Sequence, residues 1–369
     1  MSNFKTSDFM NTMRTQTWSN GRHLVRCVKV IPETHDVMTF TFSMNEPVLF
    51  YFKPGQFVTL ELDIAEERIM RSYTISSSPS IPYSFSITVK RVAGGVVSNW
   101  LHDNLKSGDQ IAVHGPVGNF NCMDFPAEKV LLLSGGVGIT PVMSMARWWF
   151  NTDSEVDMVF AHSARSPKDI IYAKELEYMS TRIDNFKMHL ICEQTNIGQS
   201  WGGYRGYLNT HMLQLMAPDL AEREVFCCGP ELYMKAVRSM LQELGFDMSR
   251  YHEESFGETP EKNVELAEKH AEEAALEDKV PKNLVTLRIP EMDIMKPVEL
   301  NGILNEAAAG VGVNIPKACG VGICGSCRVK VVHGQYEMDH NGGISQEEID
   351  LGYVLSCCTR IKGDIEVEL

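Results

Sequence analysis

Long apolar runs are missing from this chain of 369 residues. A membrane-spanning helix needs about 20 consecutive apolar residues. The most apolar region, residues 130–150, is interrupted by three glycines and a proline. The first 20 residues carry charged side chains and no apolar segment of the signal-peptide type. We therefore expect a soluble protein that has neither a signal peptide nor a membrane anchor.

Basic residues are also scarce. Lys and Arg number 34 against 48 Asp and Glu, and the formal net charge is −14. This balance argues against a nucleic-acid partner, which would need positive charge to meet its phosphates, and favours docking on a basic protein surface. No Ser-His-Asp or metal-hydrolase arrangement is present, so we interpret His114, His162 and His252 as structural or surface residues.

A disulfide framework is likewise missing among the ten cysteines. Six of them show no framework spacing: Cys27, Cys122, Cys192, Cys227, Cys228 and Cys358. Because structural disulfides belong to oxidising compartments, this pattern favours a reducing cytoplasm.

The other four cysteines have a spacing of their own. A C-x4-C-x2-C run is followed, after 29 further residues, by a fourth cysteine, and the four are Cys319, Cys324, Cys327 and Cys357. This is the plant-type ligand spacing of a [2Fe–2S] cluster. Gly320, Gly322 and Gly325 allow the loop to curl around the cluster. One alternative is a structural zinc site, although zinc sites favour paired C-x2-C knuckles. The other is a degenerate remnant of a cluster-binding fold.

This stretch resembles the plant-type ferredoxin domain over residues 283–369, with Pro316-Lys-Ala-Cys319 before the loop and Leu355-Ser-Cys357 at the end of the ligand set. The resemblance implies an α+β (β-grasp) fold. It makes Cys358 a neighbour and not a ligand, although Cys358 has the chemistry to substitute as the fourth ligand.

An acidic segment precedes this domain. Eight acidic residues lie in the segment from Glu258 to Asp278, and Pro260 and Pro281 bracket seven of them. The composition predicts a linker over residues 257–282, as a solvated helix or semi-rigid tether, with an acidic docking site as the alternative. Upstream we expect an N-terminal tail over residues 1–20 and domains at 21–127 and 128–256.

Residues 21–127 alternate short apolar runs, such as Phe57–Leu62, with Pro-Gly and Gly-Gly turns, which predicts an antiparallel β-barrel. The run Arg71-Ser72-Tyr73-Thr74 is similar to the R-x-Y-S/T motif of the ferredoxin reductase flavoprotein family. The resemblance implies FAD as the flavin, with FMN as the alternative. It places further contacts in a strand and at a helix start: Val89, Lys90, Gly95, Val97 and Ser98.

Residues 128–256 alternate strand and helix patterns, which predicts an open parallel α/β sheet. The apolar run Val130–Leu133 leads into the glycine turn Ser134-Gly-Gly-Val-Gly-Ile-Thr-Pro141, which is suited to a dinucleotide pyrophosphate. The same family carries such a turn and a Cys-Gly-Pro strand end. The resemblance implies that the nucleotide contacts are Gly135, Gly136, Gly138, Thr140, Pro141, Cys228, Gly229 and Pro230.

The resemblance also supplies roles for a few residues. Cys228 lies near the nicotinamide, and Glu254 moves a proton together with Thr74. Phe256 covers the flavin until the nicotinamide displaces it. Arg165 contacts the nucleotide, and it would select NADPH if it bound a 2′-phosphate. The relatives favour NADH, and NADPH stays open.

Together these motifs indicate an electron-transfer reductase that uses NADH, FAD and a [2Fe–2S] cluster, because the resemblance spans nearly the whole chain after residue 20. Segments 18–26 and 248–256 are similar to reductases that serve Rieske-type oxygenases in demethylating glycine betaine or similar quaternary ammonium compounds. A second group with this domain order reduces the hybrid-cluster protein. An alternative of another class is a ferredoxin-type carrier with a non-functional flavin scaffold, which the intact motifs oppose.

Overall fold

The computed structural model describes residues 16–18, 21–65, 67–195, 200–256, 284–292, 294–313, 315, 322, 325, 327–340, 344 and 346–369. The chain divides into two compact units. The described residues of the first lie within Met1–Val58, Tyr73–His114 and Phe120–Thr259, and those of the second within Thr59–Ser72, Gly115–Asn119 and Pro260–Leu369. The linker predicted at residues 257–282 lies outside the described residues, and the predicted domain boundaries stay predictions.

The N-terminal segment contributes a short strand. Strand β1 (Gln16–Thr17) pairs in parallel with β4 (Val48–Leu49). Next to it, the Trp18 ring lies 4.0 Å from the His23 ring and 4.6 Å from the Phe50 ring, measured between centroids. Part of the segment predicted as a tail is therefore packed on the sheet that follows.

An antiparallel sheet forms from the next part of the chain. Its main strands are β2 (Arg22–Pro32), β3 (Val37–Ser43), β5 (Phe57–Ile64), β6 (Glu67–Thr74), β7 (Phe85–Lys90) and β8 (Gln110–Val117). Their order is β6-β5-β8-β2-β3-β7. An antiparallel bridge between Ile75 and Ile87 joins the residue after β6 to β7, so the two ends of the sheet meet. The predicted antiparallel β-barrel is confirmed.

A parallel sheet follows in the first unit. Its strands are β9 (Lys129–Gly135), β10 (Asp157–Ala164), β11 (Phe186–Cys192), β12 (Tyr204–Arg205), β13 (Glu224–Cys228) and β14 (Tyr251–Glu254). The helices of the first unit are α1 (Val96–Asn104), α2 (Ile139–Asn151), α3 (Ala173–Ser180), α4 (Thr210–Met216) and α5 (Glu231–Glu243). The apolar run of β9 is buried on both faces because a hydrophobic cluster packs on each side of the sheet. The predicted parallel α/β fold is confirmed.

The strand order of this sheet is β12-β11-β10-β9-β13-β14, so the chain changes direction across the sheet at β9. In open parallel sheets the crevice at such a switch point, outside the carboxyl ends of the strands, binds ligands. The glycine turn follows β9 and the Cys-Gly-Pro segment follows β13. The fold therefore brings the two predicted nucleotide motifs to one edge.

The second unit contains a mixed sheet. Its C-terminal strands are β15 (Leu284–Ile289), β16 (Ile294–Glu299), β17 (Arg328–Met338), β18 (Tyr353–Leu355) and β19 (Thr359–Glu368). Their order is β16-β15-β19-β17-β18, with β15 and β19 parallel. Two helices accompany them, α6 (Leu304–Gly310) and α7 (Gln346–Asp350). Leu304 and Ala308 of α6 are buried against the sheet, and the predicted α+β fold is confirmed.

No helix in the described part of the chain is long and apolar enough to cross a membrane.

Candidate functional site

The glycine turn after β9 is built for close approach. A Cβ on Gly138 would lie 2.3 Å from the Cys228 carbonyl oxygen, so only glycine fits between the turn and the end of β13. Gly136 has a φ of +53° and no atom within 4 Å of the position of a Cβ. One glycine thus allows the turn to pack, and another leaves open space beside the start of α2. A dinucleotide pyrophosphate fits such a turn, since backbone N–H groups at a helix start attract phosphate.

Neighbouring residues support this turn. Thr140 and Pro141 are buried in the first turn of α2, and the Thr140 hydroxyl donates a hydrogen bond to the Val137 carbonyl at 3.2 Å. Gly229 and Pro230 follow β13, and a Cβ on Gly135 would lie 3.1 Å from Pro230 Cδ. The structure therefore brings the residues predicted to hold the nucleotide together around one turn.

The three residues predicted to be catalytic meet at the end of β14. Cys228 is opposite Glu254 in the parallel pairing of β13 and β14. The Thr74 hydroxyl donates to Glu254 Oε2 at 3.5 Å, although the two residues are 180 positions apart. Thr74 and Cys228 are buried, with 6% and 0% of their surface exposed. The barrel and the parallel sheet thus contribute to one site.

Burial decides the protonation of this group. It raises the pKa of Glu254 to about 8, and the hydrogen bond from Thr74 opposes this shift. It also raises the pKa of Cys228 well above its usual value, so the thiol stays neutral. At neutral pH Glu254 holds a proton beside the Thr74 hydroxyl. A carboxyl group with a pKa near the working pH is well suited to give and take protons.

The flavin motif lies on β6. Arg71 is exposed, Ser72 and Tyr73 are partly buried, and the Ser72 and Thr59 hydroxyls are hydrogen-bonded at 2.9 Å. An exposed Arg at the end of this strand is available to a phosphate. These observations are compatible with the predicted flavin contacts, which stay predictions.

The second predicted flavin element is the start of α1. Gly95 is its N-cap, and Val97 and Ser98 are buried in its first turn. A Cβ on Gly95 would lie 2.7 Å from Ser98 Oγ, which itself accepts a hydrogen bond from the Val92 N–H at 3.2 Å. Ser98 therefore holds the turn, and the N–H groups of the helix start are the phosphate-binding candidates. Val89, at the end of β7, is 1% exposed.

Arg165 is paired within the protein. Its Nη2 lies 3.5 Å from Asp36 Oδ2, and Lys90 Nζ lies 3.4 Å from the same oxygen. His35 Nδ1 lies within 3.7 Å of Asp36 and 3.6 Å of Asp169. The carboxylate of Asp36 therefore stands beside the guanidinium that a 2′-phosphate would need. This arrangement supports NADH and not NADPH as the nucleotide.

Phe256, predicted to cover the flavin, is 41% exposed and comes two residues after Glu254. A partly exposed ring at the end of β14 is available for stacking, and its role stays a prediction.

Two of the four predicted cluster ligands are described. Cys327 and Cys357 are 1% and 8% exposed and belong to the hydrophobic core of the second unit. Gly322 and Gly325, in the loop, have φ values of 71° and 72°, a region that favours glycine. Cys319 and Cys324 lie outside the described residues. Buried thiols beside a loop with left-handed glycines fit a [2Fe–2S] cluster.

Cys358 occupies a different place from Cys357. Its Sγ donates to the Leu355 carbonyl at 3.4 Å, and a Cβ on Gly322 would come within 2.7 Å of that sulfur. Cys358 therefore packs against Gly322, and Cys357 as the fourth ligand stays a prediction.

Arg223, a buried polar residue of the first unit, was not predicted, whereas His162 was interpreted as a structural or surface residue. Arg223 is 1% exposed, and its guanidinium donates to the carbonyls of Val130 and Asp157, each at 3.0 Å. His162 is fully buried, as a structural histidine should be. Its Nδ1 lies 2.9 Å from Ser134 Oγ, and its Nε2 has no hydrogen-bond partner among the described residues. Burial lowers the pKa of His162 to about 4. A single polar residue such as Arg223 belongs to no periodic pattern or motif, so the sequence alone does not mark it as a buried contact.

Comparisons with known protein families agree with this geometry. Three family profiles match: an oxidoreductase FAD-binding domain at residues 25–122, an oxidoreductase NAD-binding domain at 132–239, and a 2Fe-2S iron-sulfur cluster binding domain at 292–362. The matches support FAD, NADH and a [2Fe–2S] cluster as the cofactors.

Curated relatives match over nearly the whole length. The glycine betaine monooxygenase reductase subunit of Pseudomonas aeruginosa (strain UCBPP-PA14) is 61% identical over 98% of this chain and 99% of its own. The stachydrine N-demethylase reductase subunit Stc4 of Rhizobium meliloti is 42% identical over 95% and 97%. The NADH oxidoreductase HCR of Escherichia coli is 32% identical over 91% and 94%.

Among solved structures, phthalate dioxygenase reductase is similar in fold. The two share 22% sequence identity with a TM-score of 0.57, over 95% of this chain and 98% of the other.

Proposed function

Because the chain belongs to the family of FAD- and NAD-binding oxidoreductases that carry a [2Fe–2S] domain, we propose that it is the reductase component of a two-component Rieske oxygenase system. It is an NAD(P)H-dependent flavin and iron–sulfur oxidoreductase. When bound, FAD accepts electrons in a pair from NADH and passes them singly to the cluster.

The single observation that carries the proposal is the 61% identity to a glycine betaine monooxygenase reductase subunit over 98% of the chain. The relative at 42% identity is named as the reductase subunit of another demethylase, stachydrine N-demethylase. We infer that the final substrate is glycine betaine or a similar quaternary ammonium compound, demethylated by the oxygenase component. In this proposal the oxygenase component, and not the reductase, binds that substrate.

The residues of the chain have defined tasks in this proposal. The Gly135 to Gly138 turn holds the pyrophosphate, while Arg71 and the start of α1 hold flavin phosphates. Thr74 and Glu254 hold a proton at the end of β14. The four cysteines Cys319, Cys324, Cys327 and Cys357 bind the cluster.

A coupled assay tests the proposal. The purified protein, NADH, oxygen and a purified betaine oxygenase should release one formaldehyde for each NADH consumed when glycine betaine is present. Omission of either protein should abolish the release. NADH oxidation without formaldehyde, together with rapid reduction of hybrid-cluster protein, would contradict the proposal. That outcome would favour the second candidate acceptor, which the 32% identity to the NADH oxidoreductase HCR supports.

The carrier alternative makes its own prediction. A ferredoxin-type carrier would be isolated without flavin and would not reduce ferricyanide with NADH. The proposed reductase should be isolated with bound flavin and should reduce ferricyanide with NADH. Chromatography of the released flavin should identify FAD.

We also propose the cytoplasm as the location of the protein, because the six cysteines outside the ligand set show no disulfide framework.

A further inference from the structure

A buried polar network connects helix α2 to the strands that carry the flavin motif. Arg147, on α2, donates from Nη1 to the Ser76 carbonyl. Its Nε and Nη2 donate to the two carboxylate oxygens of Glu175 at 2.8 and 2.7 Å. One turn earlier on α2, the Ser144 hydroxyl donates to the Ser77 carbonyl at 2.7 Å. Helix α2 therefore holds two consecutive carbonyls of the loop that follows Thr74.

Tyr172 joins this network from the residue before α3. Its ring lies under the Arg147 guanidinium, 4.4 Å from centroid to Cζ. Its hydroxyl is hydrogen-bonded to Thr88 Oγ1, and burial raises the pKa of Tyr172, so the hydroxyl keeps its proton. Thr88 Oγ1 lies 3.0 Å from Ser76 Oγ and 2.8 Å from Thr39 Oγ1. Tyr172, Thr88 and Ser76 are 4%, 3% and 0% exposed.

The backbone of Tyr172 is an outlier. Its φ is 58° and its ψ is 25°, a left-handed conformation that a residue with a Cβ seldom adopts. The surrounding structure must hold it there, and the held conformation directs the ring to Arg147 and Thr88. Outliers of this kind gather at sites where function sets the geometry.

The network spans the two halves of the redox site. Helix α2 begins at the glycine turn that holds the nucleotide, whereas Ser76 comes two residues after Thr74, and Thr88 precedes the predicted flavin contact Val89. The network contributes little net stability through its Arg147–Glu175 ion pair, whose side chains are 16% and 40% exposed. It does fix one arrangement of the elements it joins, because every donor and acceptor has a specific partner.

We propose that Arg147, Tyr172 and Thr88 are positioning residues that fix the distance between the nicotinamide and the flavin. The proposal rests on the NADH-to-FAD step and not on the identity of the electron acceptor. In that step a hydride, with its two electrons, leaves C4 of NADH for N5 of the flavin, and NAD⁺ remains. A misplacement of about 1 Å can reduce such a rate by about 100-fold.

Two variants test the proposal: both remove the hydrogen bond between Tyr172 and Thr88, and Thr88→Val also removes the bonds of Thr88 to Ser76 and Thr39. Tyr172→Phe removes the hydroxyl, and Thr88→Val replaces it with a methyl group. We expect each to slow flavin reduction in anaerobic stopped-flow by about 10- to 100-fold, with the Kd for NADH changed less than about twofold. The conservative Thr88→Ser, which keeps a hydroxyl, should restore most of the rate. Tyr178→Phe, at a tyrosine of α3 that is 52% exposed, is the matched control.

A second readout is independent of turnover. Hydrogen–deuterium exchange of the full-length protein without NADH should rise in the segment 75–80 for Tyr172→Phe and Thr88→Val, but not for Tyr178→Phe. Normal flavin reduction with only a lower melting temperature would overturn the proposal. A weaker Kd for NADH with an unchanged limiting rate would also overturn it, since the residues would then serve binding. If the unmodified protein itself were not reduced by NADH, the proposed function would fail instead.

Discussion

The chain assembles two pairs of predicted site residues differently: Cys327 and Cys357 in the second unit, and Thr74 and Glu254 in the first. The cysteines lie 30 positions apart and belong to a rare residue type whose spacing is dictated by a small cluster. Thr74 and Glu254 lie 180 positions apart and belong to common residue types. The second pair owes its chemistry to burial, which raises the pKa of Glu254 to about 8. Sequence spacing therefore predicts a metal centre, whereas a candidate proton site is recognised only when the whole fold is known.

The largest expected effect is the loss of the iron–sulfur cluster while the flavin site keeps its activity. Cys357→Ser should abolish the iron–sulfur absorption and EPR signal, and with them electron transfer to the partner, because one of four ligands is lost. NADH-to-ferricyanide activity through the flavin should persist. The matched control is Cys358→Ser, which should keep the cluster. A cluster lost in Cys358→Ser and retained in Cys357→Ser would make Cys358 the ligand.

The next largest effect is a loss of stability, which should affect the first unit and not the second. Arg223→Met removes the donor that Arg223 supplies to Asp219, Asp157 and the carbonyls of Val130 and Asp157, although Asp219 keeps Lys129 and Asp157 keeps Lys187 as partners. Leaving such carbonyls without their donor costs about 1–3 kcal/mol. The melting temperature, measured by the release of flavin on heating, should be lower in this variant. The absorption of the cluster at room temperature should be unchanged. Arg182→Met, at an exposed arginine, should have little effect, and equal shifts in both variants would contradict this account.

The pH dependence of stability sharpens the comparison further. In the unfolded chain Glu254 titrates near 4.5, and in the folded protein near 8. Between these values the folded state holds one more proton, so this residue makes stability fall as pH rises. Unfolding measured from pH 5 to pH 8 should therefore lose less stability in Glu254→Gln than in the unmodified protein. Glu253→Gln, at the exposed neighbour, should follow the unmodified protein, and identical curves for all three would contradict the raised pKa.

The smallest effect is on nucleotide choice. Arg165 is the residue predicted to meet a 2′-phosphate, and Asp36→Asn removes the negative charge paired with its guanidinium. A partly exposed charge interaction is worth about 1 kcal/mol, so kcat/KM for NADPH should rise about fivefold with little change for NADH. Asp103→Asn, at an exposed aspartate paired with Arg91, is the control of equal charge. An unchanged ratio of the two nucleotides would remove Asp36 from the specificity site.

Much of the fold could be predicted from local patterns. The apolar run of β9, the glycine turn and the start of α2 lie within a few residues of one another. Such local patterns can be recognised from the sequence without a structure. The ligand spacing of the four cysteines is local in the same sense. The pairing of Thr74 with Glu254 came from family resemblance, because neither residue type marks a site.

Other features left no trace in the sequence. The roles of Arg147, Tyr172 and Thr88 depend on three separate elements that meet only after folding, and Tyr172 carries no sign of its left-handed backbone. Strand β1 is two residues long, so its pairing with β4 has no detectable periodicity. The hydrogen-bond partners in a buried polar network come from distant parts of the chain and follow no sequence periodicity. For this reason the network was not predicted.

The most direct test of the central claim is stopped-flow reoxidation of the NADH-reduced protein by a purified Rieske-type betaine oxygenase and, in parallel, by a hybrid-cluster protein. The account predicts faster electron transfer to the oxygenase, with demethylation of the substrate. Faster transfer to the hybrid-cluster protein would contradict the proposed partner, and failure of NADH to reduce the protein at all would contradict the reductase itself.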